Sequence, residues 1–394
     1  MKITSSLTAA IAAVLFGAYS TSTMASEYGP PELWRSYNGI TWDGAPTNTE
    51  NAASLSVNAP IAGLHFGNNG RAFVSTPRVV SKDLPATLNI LDTSNTSGPA
   101  HLKAFPSVER NAVNNRPEHN LRSVLGFYTD KTNGWLWALD MGYVAGETEA
   151  PAGAQKIVIY SQRTGRVIKR IPLDSVANRK TSFLNDIVVD ERRKIAYVSD
   201  SGLRGNDAGL IVVDFMSGKT RRVLDRDTSV QPEKDVETVA EGINILPGYP
   251  LRVGINGIAL SPDASILYWA VTTGKNAHSI STSALRNKAL TDVELAKQVR
   301  NLGDVGGNTD GIVTDASGDL YLTDITRSGI VRYETSSKSM SLLYKDERIH
   351  WPDTITRSAE GDFFFTSSAL HKHFMGSVKL GEERYDVWRL PLLK

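Results

Sequence analysis

The chain has 394 residues, and 43 Lys and Arg stand against 42 Asp and Glu, which leaves a formal net charge of +1. This balance lacks the positive excess that neutralises phosphates, so the composition argues against a nucleic-acid partner. The chain has no cysteine, which excludes disulfides, thiolate metal sites and cysteine nucleophiles.

The first 25 residues have the pattern of a secretory signal peptide. Lys2 supplies a positive charge, residues 7–18 form a short apolar run, and Thr23-Met24-Ala25 provides a cleavage site before Ser26. An apolar run of about a dozen residues is shorter than the roughly 20 that span a bilayer. We therefore expect an exported protein, periplasmic or extracellular, with no membrane partner after cleavage and a single domain over residues 26–394.

From about residue 60 onward, one pattern returns. Each unit has an apolar run, a turn, a second apolar run and two further short strands, rich in β-branched and aromatic residues. The six units begin near Ala62, Arg122, Leu184, Asn256, Asp310 and Trp351. Units of roughly 40–50 residues with four strands are typical of propeller blades. The sequence thus predicts an all-β, six-bladed β-propeller with four-stranded blades, rather than a string of β-sandwiches.

Three segments outside the repeats complete this prediction. Residues 33–42 precede the first unit, and we expect this N-terminal segment to pair in the sixth blade and close the ring. A helical pattern at residues 283–286 and 292–300 is expected in loops between blades four and five. The acidic, strand-poor stretch 225–247 is expected to form a long excursion or a lid over one mouth of the channel.

Polar residues recur where the first strand of four units begins. They are Asn185, Asp186, Asn256, Asp310 and Asp353. Because the first strand of each blade lines the central channel, we expect these side chains to converge. Their oxygens suit a hard cation such as calcium, an ammonium group or a polar ligand. The alternative is ordinary turn chemistry, since Asn-Gly and Asp-Gly are common where chains reverse.

Several segments resemble the major royal jelly/yellow protein family. They are Val253–Asp263 with Leu267–Trp269 and Ser283–Arg286, Thr76–Arg78 with Leu84–Leu88, Asn308–Gly311, and Trp351–Asp353 with Ser367, Ser368 and Phe374. The resemblance covers nearly the whole mature chain in order and implies a six-bladed propeller. It also implies a range of functions, because members are linked to dopachrome-type isomerisation, to binding of biogenic amines in the channel, or to nutritive and structural roles.

A more distant resemblance is to the gluconolactonase/senescence-marker family, which is also six-bladed and depends on a cation. Asn256 and Asp310, each followed by glycine, look like its metal-ligand motifs, and Asn185 resembles a further ligand. These three residues are the metal candidates if a divalent cation such as calcium is bound. That family also uses a first-blade glutamate, whereas residues 60–64 here read Pro-Ile-Ala-Gly-Leu.

The first functional hypothesis is a channel that binds a small polar or cationic aromatic molecule. Asp310 and Asp353 would meet the positive group, while Asn185 and Asn256 would form hydrogen bonds. Trp351, either a core residue or a channel-wall aromatic, would stack on the ring. Tautomerase activity of the dopachrome type is compatible with such a channel, through proton transfer by the carboxylates.

The second hypothesis is a cation-dependent lactone hydrolase. A calcium-type ion on Asn256 and Asp310 would polarise the lactone carbonyl, and Asp186 or Asp353 would activate water. The missing first-blade carboxylate favours the binding protein over the hydrolase. Whether the chain is an enzyme, and its oligomeric state, stay open at this stage.

Overall fold

The computed structural model describes residues 27–44, 49–205 and 207–393. The predicted signal peptide lies outside these residues. Within them, six sheets each contain at least four strands, ordered so that sequence neighbours pair side by side. The prediction of a six-bladed β-propeller is confirmed.

The chain first supplies two strands and a helix, and then the blades in order. The N-terminal elements are β1 (Glu32–Tyr37), β2 (Ile40–Trp42) and α1 (Thr49–Val57). Blade one contains β3 (Leu64–Phe66), β4 (Ala72–Ser75), β5 (Leu88–Leu91) and β6 (Ala100–Ala104). Blade two contains β7 (Val124–Asp130), β8 (Trp135–Asp140), β9 (Lys156–Ser161) and β10 (Val167–Pro172). Blade three contains β11 (Leu184–Asp190), β12 (Ile195–Asp200), β13 (Gly209–Asp214) and β14 (Thr220–Val223).

A small hairpin separates blade three from blade four. Its strands are β15 (Val239–Ala240) and β16 (Ile243–Asn244). Blade four contains β17 (Ile255–Leu260), β18 (Ile266–Val271), β19 (Asn276–Ser281), the helices α2 (Thr282–Arg286) and α3 (Asp292–Ala296), and β20 (Arg300–Asp304). Blade five contains β21 (Ile312–Thr314), β22 (Leu320–Asp324), β23 (Gly329–Glu334) and β24 (Ser339–Lys345). Blade six contains β25 (Pro352–Arg357), β26 (Phe363–Ser367), the helix α4 (Leu370–Phe374) and β27 (Tyr385–Leu390).

The first strand of each blade faces the axis, and we call these six the inner strands. Each inner strand lies beside the inner strands of both neighbouring blades, in the order β3, β7, β11, β17, β21, β25 and back to β3. Apolar clusters between blades hold the ring together, because each sheet buries both faces against its neighbours. Phe73 and Phe127 share one such cluster between blades one and two, and Val212 and Trp269 share another between blades three and four.

Both ends of the chain build blade six. Strand β1 pairs antiparallel with β27, with Leu33 opposite Trp388 and Tyr37 opposite Tyr385. The second part of the N-terminal segment departs from the expectation, because β2 instead pairs in parallel with β6 of blade one. Burial of Ile40 in the core cluster shared by blades one and six accounts for this placement.

The helices form where a helical pattern was predicted, but their expected position between blades was wrong. Helices α2 and α3 lie within blade four, between its third and fourth strands. Ser281 and Thr291 cap their N-termini, and Leu285 and Leu295 are buried in the core between blades three and four. No helix among the described residues is long and apolar enough to span a membrane.

The hairpin Val239–Asn244 lies at the end of the channel where the inner strands begin. The backbone N–H of Val239 donates to the Asn308 side chain at 2.9 Å, just before β21. Ala240 packs in one buried cluster with Ile325 and Trp351, which lie on loops of blades five and six. The hairpin therefore packs on loops of blades five and six at this end of the ring.

Candidate functional site

The predicted polar pairs stand at irregularities of the inner strands. The pairing of the inner strand with its neighbour slips between Leu184 and Ile187 in blade three, and between Ile255 and Ile258 in blade four. The same slip follows Pro352 in blade six. Such bulges leave a residue out of the ladder and turn its side chain away from the regular alternation. The irregular backbone thus sets the direction in which these polar side chains point.

The glycines that follow Asn256 and Asp310 serve close packing, not turns. Neither Gly257 nor Gly311 has a positive φ. A Cβ atom on Gly257 would lie 2.2 Å from the carbonyl oxygen of Asp310, and one on Gly311 would lie 2.3 Å from that of Asp353. The Gly257 N–H in turn donates to the Asp310 carbonyl at 3.0 Å. The glycines therefore let neighbouring inner strands approach and bring the polar residues side by side.

The inner strands enclose a cavity of about 570 Å³. Five predicted site residues line it together, namely Asn185, Asp186, Asn256, Asp310 and Asp353. Apart from Asp186, which is half-buried, these residues are only 6–9% exposed. The opposite end of the cavity is lined by exposed residues of the turns after the inner strands, such as Lys131, Arg192 and Asp263. The polar residues thus lie at the buried end of the cavity, not at its mouth.

Asp310 is the most strongly held of the three carboxylates. Its Oδ1 accepts a hydrogen bond from Asn256 Nδ2 at 2.5 Å, and its Oδ2 accepts one from the indole N–H of Trp351 at 2.7 Å. Asn256 is itself fixed, since its Nδ2 also donates to Thr272 Oγ1 at 2.8 Å. The Asn185 amide donates to Ser201 Oγ at 3.0 Å.

Asp186 and Asp353 differ in their partners. The Asp186 carboxylate accepts backbone hydrogen bonds from Ile187 at 2.8 Å and from Ile258 of the next blade at 3.1 Å. Asp353 accepts a hydrogen bond from the neighbouring Thr354 hydroxyl at 3.4 Å. Asp353 is therefore the carboxyl group that the surrounding protein restrains least.

Burial raises the pKa values of all three acids. It raises the pKa of Asp186 to about 7 and that of Asp310 to about 6, even though Trp351 and Asn256 donate hydrogen bonds to Asp310. The pKa of Asp353 rises well above its usual value, first through burial and then through the charges of Asp310 and Asp186. Protonated and ionised carboxyl groups consequently coexist at this site near neutral pH, which suits acid–base chemistry.

Trp351 does not form the cavity wall that a ring-stacking role requires. Its side chain is 3% exposed and stacks on His371, with ring centroids 5.9 Å apart and an interplanar angle of 15°. Its backbone has φ 54°, in the left-handed region that favours glycine. Buried packing beside Phe374 and the bond to Asp310 hold it there. Trp351 lies behind Asp310, on the side of the hairpin.

Several cavity residues were not anticipated from the sequence. His65 of blade one lines the wall and contacts Thr356 through Nδ1 at 3.0 Å. Burial lowers the pKa of His65 to about 3, so the ring is neutral. The Tyr128 hydroxyl donates to Glu191 at 3.0 Å. Following each inner strand to its turn, and not only its first residues, would have identified this wall.

The predicted metal candidates do not assemble a ligand set. Among the described residues, no group of three or more His, Cys, Asp or Glu is placed to hold a metal ion. Both oxygens of Asp310 already accept hydrogen bonds, and Asn185 and Asn256 bring no charge. Calcium takes six to eight oxygen ligands, usually including several carboxylates. These residues therefore do not fit a calcium site.

The chain is similar to proteins of one family. The sequence model of the family described as "Major royal jelly protein" matches residues 122–394. Major royal jelly protein 3 of Apis mellifera is 22% identical over 268 residues, which is 66% of this chain and 46% of that protein. The chain spans about half the length of the honeybee relatives that it matches.

Two further similarities were found. A dopaminechrome tautomerase of Drosophila melanogaster is 24% identical over 345 residues, covering 82% of this chain and 69% of that protein. Among solved structures, regucalcin, a calcium-binding protein of Agrobacterium tumefaciens, matches at 12% identity with a TM-score of 0.48, over 86% of this chain and 92% of that one.

Proposed function

The chain belongs to the major royal jelly protein family, and from this premise we propose that its cavity binds a small polar or cationic aromatic molecule and isomerises it. The reaction would move a proton between a carbon and an oxygen of the ligand. The observation that carries the proposal is the meeting of three carboxyl groups with raised pKa values, the half-buried Asp186 and the buried Asp310 and Asp353, at the buried end of one cavity. The similarity to a dopaminechrome tautomerase supports it.

A tautomerase needs a base and an acid near the same ring. Asp186, with a pKa of about 7 and backbone donors on both oxygens, would act as the base that accepts the proton from carbon. The pKa of Asp353 is raised well above its usual value, so its carboxyl group would hold a proton near neutral pH and donate it to the ligand oxygen. The ligand gains and loses one proton, so no oxidant or reductant is consumed. Transfer of the proton from Asp186 back to Asp353 restores the starting state.

The remaining polar groups would bind and orient the ligand. The pKa of Asp310, about 6, is raised less than that of Asp186, so Asp310 would carry the charge that meets a positive group. Asn185 and Asn256 present amide oxygens beside it, and their nitrogens are fixed by hydroxyl groups. Ile258 and Ile355 line the same cavity and would flank an aromatic ring. Expulsion of water by these apolar walls strengthens each charge interaction.

We also propose that the protein acts after export, with residues 1–25 removed and residues 26–394 as its mature domain. The charged start, short apolar run and small residues before Ser26 support this assignment. N-terminal sequencing of the protein recovered from the medium or periplasm tests it. A first residue of Ser26 is the expected result, and retention of Met1 in exported protein would contradict it.

The decisive experiment measures turnover of dopaminechrome, which loses its colour when it isomerises. Purified mature protein is expected to accelerate this loss, with the same rate in EDTA as in buffer. A parallel assay on aldonolactones, with and without calcium, tests the hydrolase. Calcium-dependent lactone hydrolysis without dopaminechrome turnover would overturn the proposal.

A further inference from the structure

The open end of the cavity is lined by basic side chains without counter-ions. Lys131, Arg192 and Arg357 all line it, and within the described part of the chain none of them lies in an ion pair within 4.0 Å. The Lys131 ammonium group donates to the Arg357 carbonyl oxygen at 3.3 Å. The Arg357 Nε is buried and has no hydrogen-bond partner. Two cations thus stand together with unused donor capacity.

The acidic residues at this end are already occupied. Glu191 accepts hydrogen bonds from the Tyr128 hydroxyl at 3.0 Å and from the Thr132 backbone at 2.8 Å. Asp190 is paired with Arg193 at 2.9 Å. Asp190 is thus neutralised by Arg193, whereas Glu191 accepts from neutral donors, keeps its charge and attracts Lys131 from beyond ion-pair distance.

Asp263 is the third acidic residue that lines the mouth, and it also accepts hydrogen bonds. Asp263 accepts hydrogen bonds from the Ser261 hydroxyl at 2.7 Å and from the Ser265 backbone at 3.0 Å. These bonds lower the pKa of Asp263 to about 2, with the Ser261 hydroxyl as the largest cause. Asp263 is therefore ionised. Among the charged side chains that line the mouth, Lys131, Arg192 and Arg357 outnumber Glu191 and Asp263, the two acids outside ion pairs, so an excess of one positive charge remains.

The two ends of the cavity are connected by a single strand. Asp353 and Arg357 both lie on β25, four residues apart, so their Cα atoms are separated by about 13 Å along the strand. The long side chains of Lys131 and Arg357 reduce the span that a ligand must bridge. A molecule of one aromatic ring with a charged group at each end would have one group at the acidic buried end and the other directed toward the basic mouth.

We propose that the cavity selects two-ended aromatic ligands, in which an anionic group of the carboxylate class is held by Lys131 and Arg357 while the other end meets the buried carboxyl groups. This proposal rests on the proposed function for the buried end and adds the substrate class that the mouth favours. Charge-assisted bonds from a guanidinium and an ammonium to one carboxylate are strong and directional. The mouth would thus discriminate between carboxylated and decarboxylated forms of the same ring.

The test uses three probes built on one ring and measured by calorimetry on the full mature protein. Benzylamine has the cation alone, benzoate has the anion alone, and para-aminomethylbenzoate has both at opposite ends. We expect the two-ended probe to bind at least about tenfold more tightly than benzylamine, which corresponds to about 1.4 kcal/mol. Lys131→Gln and Arg357→Gln should each reduce this preference and leave benzylamine binding unchanged. Arg193→Gln, an arginine paired with Asp190, is the matched control and should keep it.

The outcomes separate the two ends of the cavity. Equal binding of benzylamine and para-aminomethylbenzoate to the native protein would overturn the role of the mouth while the proposed function stands. A preference that survives in both glutamine variants would overturn it as well. Benzoate binding that depends on Lys131 and Arg357, without any benzylamine binding, would support the mouth and contradict the ammonium-binding part of the proposed function. Failure of every probe to bind would overturn both.

Discussion

The two arcs of the ring differ at one position of the inner strand. Blades three to six carry Asn185, Asn256, Asp310 and Asp353 there, whereas blades one and two carry Ala62 and Leu125. Close strand packing at glycine is nevertheless found on both arcs, because glycine follows this position in blades one and two and in blades four and five, whereas Asp186 and Thr354 follow it in blades three and six. A Cβ on Gly126 would lie 2.2 Å from the Asn185 carbonyl oxygen, much as a Cβ on Gly311 would meet Asp353. The ring geometry is thus common to both arcs, and the chemistry is confined to one.

The largest contrast is expected between Asp353→Asn on the polar arc and Leu125→Ala on the apolar arc. Asp353→Asn removes the proposed acid without changing the side-chain volume much, so turnover should fall roughly 100-fold or more, the usual contribution of acid–base catalysis. Leu125→Ala should instead lower the melting temperature and leave turnover within a few-fold, because Leu125 supplies packing. The decay of dopaminechrome absorbance and thermal melting measure the two effects.

Asp263→Asn, at an exposed turn of the same cavity, is the control for the charge change. Turnover by Asp353→Asn at the native rate would contradict the assignment of the acid. An equal loss in Asp263→Asn would show that net charge, and not the buried position, controls the rate.

Carboxyl groups of the polar arc should make the free energy of unfolding depend on pH near neutrality. Asp186 and Asp310 have pKa values of about 7 and about 6 in the folded protein, against an ordinary value of 3.8. Between about pH 4 and 7 these two groups bind more protons in the folded protein than in the unfolded chain, so their contribution to stability falls as the pH rises. The buried His65, with a pKa of about 3 against an ordinary value of 6.5, contributes in the opposite direction below about pH 6.5. The contribution of Asp186 alone is on the order of a few kcal/mol.

Thermal melting from pH 5 to pH 8 measures this dependence. From pH 5 to pH 8 the melting temperature of Asp186→Asn should fall less, or rise more, than that of the native protein, and Leu125→Ala should retain the native slope. A cationic ligand favours the ionised carboxylates, so benzylamine binding should release protons at pH 6.5. Identical slopes in the native protein and Asp186→Asn would contradict the raised pKa.

Replacing the glycine by alanine should destabilise the protein equally on both arcs. Gly126→Ala and Gly311→Ala each place a methyl group within 2.3 Å of a carbonyl oxygen of the next inner strand. Because backbone atoms cannot turn aside as side chains do, each variant should lose about 1–3 kcal/mol of stability. Urea unfolding measures both, with Gly39→Ala as a control in which the nearest atom is the Ser56 hydroxyl at 3.3 Å. A loss confined to Gly311→Ala would mean that close strand approach is particular to the polar arc.

The sequence predicted those features that local patterns encode. Alternating apolar runs marked the inner strands, and the recurring polar residue marked the positions that meet around the axis. The outer strand β20 of blade four was missed because Arg300–Asp304 is polar and largely exposed, so its composition resembles a loop. This omission displaced the helices from blade four to the connection between blades.

The surroundings of the buried end of the cavity could not be predicted because they depend on contacts between distant segments. The hairpin reaches blade five through Val239 and Asn308, 69 residues apart, and the Trp351 ring packs beside this hairpin and does not line the cavity. Nothing in the short segment Trp351-Pro352-Asp353 indicates which way the ring faces. The sequence therefore located the polar residues but not the end of the cavity at which they lie.

The smallest expected effect concerns the hydrogen bond from Trp351 to Asp310. Trp351→Phe keeps an aromatic ring against His371 and removes the indole N–H that donates to Asp310. Loss of one hydrogen bond to a charged group should cost about 1.5–3 kcal/mol when the acid is ionised and less when it is protonated. The variant should therefore lose more stability at pH 8 than at pH 5, and turnover should fall only a few-fold because Asp186 and Asp353 are untouched. Equal losses at both pH values would indicate that Trp351 acts through packing alone, and the hydrogen bond to Asp310 would then have no part in setting its charge.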